Sequence, residues 1–231
     1  MGQVKLIIPE GLREITLGQY QQFAKLSGDE EFMQHKMLEI FCGVELRQVL
    51  FLTLNQINEC AALLSRAFEQ KPNLIRTFRH KGVHYGFVTN LYDLTFGEYT
   101  DIEDNMNDWA TMHKAMAVLF RPITNKVGEL YAIEQYEGTI NTSEIMKEMP
   151  LDVVFGAVNF MYRLGISLSR VTLRSIQKEM TEGDSQQVKG SSLNDGDGTH
   201  PIMPLLMVIQ QNLMQFQNSI TDSPIRTFNT R

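Results

Sequence analysis

A six-residue pattern that occurs twice constrains this chain more than any other feature. Ile15-Thr16-Leu17-Gly18-Gln19-Tyr20 recurs 79 residues later as Leu94-Thr95-Phe96-Gly97-Glu98-Tyr99. His35-Lys36-Met37 has a counterpart in His113-Lys114, with Met116 two places on. Each copy then runs into an apolar stretch, Leu38 to Cys42 and Ala117 to Phe120. Two copies are too few for a solenoid. They indicate either a duplicated helical unit or one way of starting a helix that is used twice. Thr-x-Gly-Gln/Glu is a capping box: the Thr hydroxyl accepts from the amide three residues on, and the Gln or Glu reaches back to the cap amide. Thr53-Leu54-Asn55-Gln56 is a third instance. Three helices therefore announce their starts.

From these starts the apolar periodicity predicts helices over about 17–27, 30–42, 45–51 and 54–70. In the last, Ile57, Cys60, Ala61, Leu64 and Phe68 fall on one face, and Pro72 ends the run. Residues 76–88 alternate β-branched and aromatic side chains about Lys81-Gly82, which predicts a β-hairpin. Helices are expected again over 96–105 and 108–120, with Arg121-Pro122 stopping the second. A short strand over Leu130 to Tyr136, a brief helix near 143–148 and a long helix over 151–180 follow. Residues 181–200 contain four Gly and almost nothing apolar, and read as a flexible linker. Beyond it, Ile202, Leu205, Leu206, Ile209, Leu213 and Phe216 mark one side of a final helix, widened by Met203, Met207 and Met214. The expected fold is mainly α (α+β): a helical core domain over 1–180 with a small β-hairpin, the linker 181–200, and a tethered amphipathic C-terminal helix and tail over 201–231.

The chain of 231 residues can bury one good-sized core. No stretch offers the 20 or so apolar residues of a membrane span, since Leu151 to Leu168 is interrupted by Asp152, Asn159 and Arg163. The first residues lack a signal-peptide core, and Leu6 stands where N-myristoylation wants Ser or Thr. A cytoplasmic site of synthesis is expected. Of 27 acidic residues, six fall between Leu91 and Ala110 with no Lys or Arg among them: Asp93, Glu98, Asp101, Glu103, Asp104 and Asp108. The other 21 balance the 21 Lys and Arg, and no basic stripe favours direct nucleic-acid binding. The acidic stretch is either a solvated helix face or a docking site for a basic partner.

Candidate chemistry fails on spacing. Cys42 and Cys60 lie within apolar helical patterns and read as buried thiols. His80 and His84 flank a hairpin turn and set up no metal ligation; His35 and His113 occupy matching repeat positions at the edge of a helix pair. Asn194-Asp-Gly-Asp-Gly-Thr199 opens like a calcium loop, but position twelve from Asp195 is Leu206, not Glu. The chain has no phosphate-cradling loop, nucleophile elbow or HExxH. No catalytic residue, metal ligand or cofactor is expected. The Met-rich helix 201–217 is the liveliest feature, because Met side chains adapt to grooves on a partner. It can fold back on its own core or, as expected here, dock in trans across the roughly 25 Å that its 20-residue tether reaches.

Four blocks carry a resemblance: Leu94 to Tyr99, Met112-His-Lys-Ala-Met-Ala-Val-Leu-Phe-Arg-Pro-Ile123, Tyr136-Glu-Gly-Thr139 and Met149-Pro-Leu-Asp-Val-Val-Phe-Gly156. They resemble a family of tailed-bacteriophage structural or morphogenesis proteins of the kind found in crAss-like and related phages of Bacteroidetes hosts, over about residues 4–175. The resemblance implies a non-enzymatic role in or near the portal and tail, in the virion or in the host cytoplasm during assembly. Its partners would be other phage structural proteins, and a homo-oligomer is possible. The expected partner-binding residues are Ile202, Leu205, Leu206, Ile209, Leu213 and Phe216, with Asp101, Glu103 and Asp104 on the acidic stretch. A tail assembly chaperone absent from the mature particle is one alternative, and a small metal-dependent enzyme built on the acidic stretch is another.

Overall fold

All three capping boxes open helices. Thr16, Thr53 and Thr95 each accept from the amide three residues on, and Gln19, Gln56 and Glu98 each reach back to the cap amide. The computed structural model describes residues 6–182, and among them eight α-helices and a four-stranded antiparallel sheet form a mixed α+β fold. The first four helices are α1 (Leu17–Ala24), α2 (Glu30–Cys42), α3 (Leu46–Val49) and α4 (Leu54–Phe68). Asp29 caps α2 by accepting from the Phe32 amide at 2.8 Å, and left-handed Gly43 ends it. Ile57, Cys60, Ala61 and Leu64 of α4 are buried, as their spacing predicts, and Phe68 is partly so.

Strands β1 (Thr77–His80) and β2 (Val83–Phe87) make the expected hairpin. Lys81 and Gly82 both have positive φ, 47° and 82°, as a type I′ turn demands. After a 3-10 turn at Leu91–Asp93 come α5 (Phe96–Asn105) and α6 (Met112–Leu119).

Here the structure corrects the sequence reading. Arg121-Pro122 does not simply stop a helix: the chain passes from α6 straight into strand β3 (Phe120–Val127), and β4 (Leu130–Ile133) folds back on it through Gly128. The hairpin is therefore one half of a sheet in the order β1-β2-β3-β4. Pro122 is tolerated inside it for a definite reason. The Val88 amide donates to the Leu119 carbonyl at 2.8 Å, so the alternation of an antiparallel ladder makes Tyr85–Pro122 a non-hydrogen-bonded pair. Strand β2 needs no N–H from residue 122. The Pro122 carbonyl still accepts from Glu134 at 2.9 Å. Gly86 of β2 lies under the Tyr131 ring: a Cβ there would come within 2.5 Å of it, and the Tyr131 hydroxyl donates to the Phe87 carbonyl at 2.8 Å.

The last elements are α7 (Ser143–Met146) and the long α8 (Leu151–Glu182). The stretch between them clamps the start of α1. Leu17 and Gly18 amides donate to the Met149 and Lys147 carbonyls at 2.9 and 2.7 Å, and the Leu151 amide donates to Ile15 at 2.8 Å. With the capping box, this gives partners to the first-turn amides that a helix start leaves orphaned. The hydrophobic core runs from Leu12 to Met161. It holds two aromatic clusters. Tyr20, Phe68, Trp109 and Phe155 pack in the helical half, and Phe78, Tyr85, Phe87, Phe120 and Phe160 pack over the sheet. Helix α8 contributes to both.

Two glycines separate close packing from mere helix start. A Cβ on Gly156 of α8 would sit 2.4 Å from the Asn73 carbonyl oxygen, whereas one on Gly97 would meet the Tyr136 ring at an ordinary 3.6 Å. Thermal unfolding should therefore show Gly156→Ala losing about 1–3 kcal/mol, the range of overpacked sites. Gly97→Ala should be neutral or gain a few tenths of a kcal/mol from helix propensity. Equal effects of the two changes would contradict this packing.

Candidate functional site

Helix α5 carries four of the six acidic residues singled out in the sequence, and its turn divides them. Glu98, Ile102 and Asn105 face inward and are buried. Both Glu98 oxygens are used: Oε2 accepts from the Thr95 amide and hydroxyl at 2.7 and 2.8 Å, and Oε1 meets Arg121 of β3 at 2.7 Å. The sequence reading found no basic partner near this stretch, and the structure supplies one from the next element. Asp101 accepts from the Tyr136 hydroxyl. Burial raises the Tyr136 pKa above the usual phenol range, and the bond to Asp101 adds to that rise. The Arg121 guanidinium carbon lies 6.0 Å from the Tyr136 ring centre, at the edge of cation–π range. Glu103 is half-buried, and Asp93, Asp104 and Asp108 are exposed. The stretch is therefore no uniform acidic face. Beside it, a cavity of about 410 Å³ is lined by Arg121, Thr124, Gln135, Tyr136 and Thr142, among others.

The two copies of the repeated pattern use the same helix start against different partners. In the first copy Gln19 keeps Oε1 on the cap, at 2.9 Å from the Thr16 amide, and its Nε2 donates to the Ile40 carbonyl of α2 at 2.8 Å. An amide is required there because the outer arm must donate. In the second copy the outer arm must accept from Arg121, so it is a carboxylate. Gly18 allows the Lys147 carbonyl close approach, with a would-be Cβ at 3.0 Å, and Gly97 lies under Tyr136. Met37 and Met116 are both fully buried. His113 is buried while His35 is half-buried.

His113 joins the two units. The buried Gln21 of α1 places Nε2 3.0 Å from His113 Nδ1 and also donates to the Trp109 carbonyl. A donating amide leaves the histidine proton on Nε2, which faces Glu144 at 3.7 Å. Burial lowers the His113 pKa, Lys147 lowers it further, and Glu144 opposes them. Elsewhere, His80 lies 3.2 Å from Glu148, which also pairs with Lys81, and His84 sits opposite Arg79. Among the described residues, no group of three or more His, Cys, Asp and Glu is placed to hold a metal ion. No helix there is long and apolar enough to cross a membrane. Cys42 and Cys60 are buried and unbridged, and burial, helped by Cys60, pushes the Cys42 thiol up to about 12.

The described surface also carries apolar side chains that the sequence reading did not single out. At the corner joining α3 to α4, Leu50, Phe51 and Leu54 are 70%, 79% and 76% exposed. A second apolar feature is a cavity of about 450 Å³ walled by Leu74, Phe87, Leu91, Phe160 and Leu164, with Leu130 at the tip of the β3–β4 hairpin. Corner residues were hidden because leucines and phenylalanines in a helical run look like core until the packing is known. The expected partner-binding residues Ile202, Leu205, Leu206, Ile209, Leu213 and Phe216 lie outside the described residues, as does the 181–200 linker apart from its first two positions. No family model, curated protein or solved structure matches the chain.

Exchanging the two box residues tests the site. Glu98→Gln should cost about 3 kcal/mol, because it removes one partner of a buried ion pair. Gln19→Glu should cost about 1–3 kcal/mol by turning a carboxylate toward the Ile40 carbonyl. Chemical denaturation showing both exchanges neutral would mean that the boxes are interchangeable. The histidine sets a pH dependence. Its folded pKa lies below the unfolded value of about 6.5, so the unfolded chain binds the proton more readily. Stability should be full above about pH 6.5 and fall as the pH drops below it. His113→Gln should flatten that slope, and an unchanged slope would reject the assignment.

Proposed function

We propose that this protein is a non-enzymatic morphogenesis protein of a tailed phage, acting through protein–protein contacts near the portal and tail. The observation that carries the contact-based reading is the α3–α4 corner. Leu50, Phe51 and Leu54 lie within five consecutive positions and stand largely in solvent. Scattered single apolar residues need no explanation, but clustered ones mark interaction surfaces. A phenylalanine at the centre of such a cluster suits the aromatic anchors that dominate interface energetics. The phage setting rests on the sequence resemblance. Three of its four blocks supply Glu98, Arg121 and Tyr136, and the fourth supplies Met149 and Gly156. They are residues that hold the fold.

The acidic contribution to binding narrows to Glu103 and Asp104, because Asp101 is engaged by Tyr136. A basic partner would meet Glu103 and Asp104 on the last turn of α5, with exposed Asp108 in the turn that follows.

The test combines a variant with a particle measurement. Leu50→Ser/Phe51→Ser/Leu54→Ser should fold with a Tm within a few degrees of the parent, since surface changes cost little. It should fail to enter or to support particle assembly. Mass spectrometry of particles from the encoding phage should find the parent at a symmetric copy number. A protein missing from finished particles yet required to make them would instead be an assembly chaperone. Normal particles from the variant and from a deletion would overturn the proposal.

A further inference from the structure

The apolar cavity beside α8 has an occupant within reach. Phe160 and Leu164 of α8 form one wall, Leu74, Phe87 and Leu91 supply the other apolar lining, and Arg76, Asn90 and Glu129 are polar members of it. Leu130 overhangs it at 80% exposure. From Leu164 the helix runs on to Glu182, where the described residues end. Those 18 residues carry the chain about 27 Å along the helix axis. The next strongly apolar segment is 202–216, whose Ile202, Leu205, Leu206, Ile209, Leu213 and Phe216 recur at helical spacing. Nineteen residues, 183–201, lie between, and a Gly- and Ser-containing chain of that length spans about 24 Å on average.

We infer that residues 202–216 dock, in the same molecule, into the groove formed by α8, the Leu74–Leu91 region and the β3–β4 hairpin tip. The match between tether and span is the argument for a same-chain occupant. A tether whose average length equals the distance it must cover gives an effective concentration of the order of millimolar. A second copy at micromolar concentration cannot compete with that. The chemistry agrees: the groove presents Leu and Phe side chains beside Arg76, Asn90 and Glu129, and the segment brings Leu, Ile and Phe together with polar Gln and Asn. The contact keeps an apolar segment out of solvent in the free protein. It stands apart from the function proposed above, because it concerns only the isolated chain.

Hydrogen exchange on the full chain tests this, read at amides 202–216 over a dilution series. Docking should slow exchange of these amides by about tenfold or more, independent of protein concentration. Leu130→Asp/Leu164→Asp in the groove and Ile209→Asp in the segment should each abolish the slowing and leave the amides of α1 to α6 unchanged. Ile209→Asp lies outside the core and keeps the test open if the groove variant does not fold. Unprotected amides in the parent would overturn the inference, as would protection that survives Ile209→Asp. Protection lost on dilution, with a dimer seen by light scattering, would assign the groove to a second copy and overturn it too.

Discussion

Everything else in this fold depends on the backbone clamp between residues 15–18 and 147–151. Leu17, Gly18 and Leu151 donate across it, and Thr16 and Pro150 form an isolated antiparallel bridge. Closing a loop of some 130 residues costs about 4 kcal/mol in chain entropy by logarithmic scaling. The clamp alone does not offset that. Leu12, Ile15, Leu17, Met149 and Leu151 do so by burying their side chains around it. The start of α1 and the start of α8 are fixed by one contact. Gly18 is the residue that lets the two backbones approach.

Much of the helical framework was legible in the sequence because its signals are local. A capping box is satisfied within four residues, whatever the chain does later, and all three boxes form. Lys81-Gly82 likewise specifies its own turn. The long helix from Leu151 was visible in its apolar period. The sheet was not. Strand β3 reads Phe-Arg-Pro-Ile-Thr-Asn-Lys-Val, and Pro and Asn are poor strand residues. Only the non-hydrogen-bonded register at Pro122 makes it admissible, and register is a property of two strands. Tyr131 over Gly86 is equally invisible one strand at a time.

The candidate site shows the same division. Six acidic residues within twenty positions look like one charged face, but helical geometry sends Glu98 inward and Asp104 outward. The positive charge that makes Glu98 possible comes from Arg121, which stands beside a proline and reads as punctuation. The difference between Gln19 and Glu98 looked conservative in the sequence. It reports what each outer arm must do, donate to Ile40 or accept from Arg121. The repeated pattern is thus a shared helix start with unlike surroundings, and the surroundings had to come from the structure.

Helix α8 places Phe155 in the aromatic cluster of the helical half and Phe160 in the cluster over the sheet. These rings are five residues apart on one rigid rod, so neither half can loosen without dragging the other. The consequence is cooperativity. Partial opening that frees the sheet while sparing the helices would have to strip Phe160 of its ring partner on a rod still held at Phe155, and the tight approach of Gly156 to Asn73 lies in that interval. Two packing regions that could have melted separately are coupled into one unit by a single turn and a half of helix.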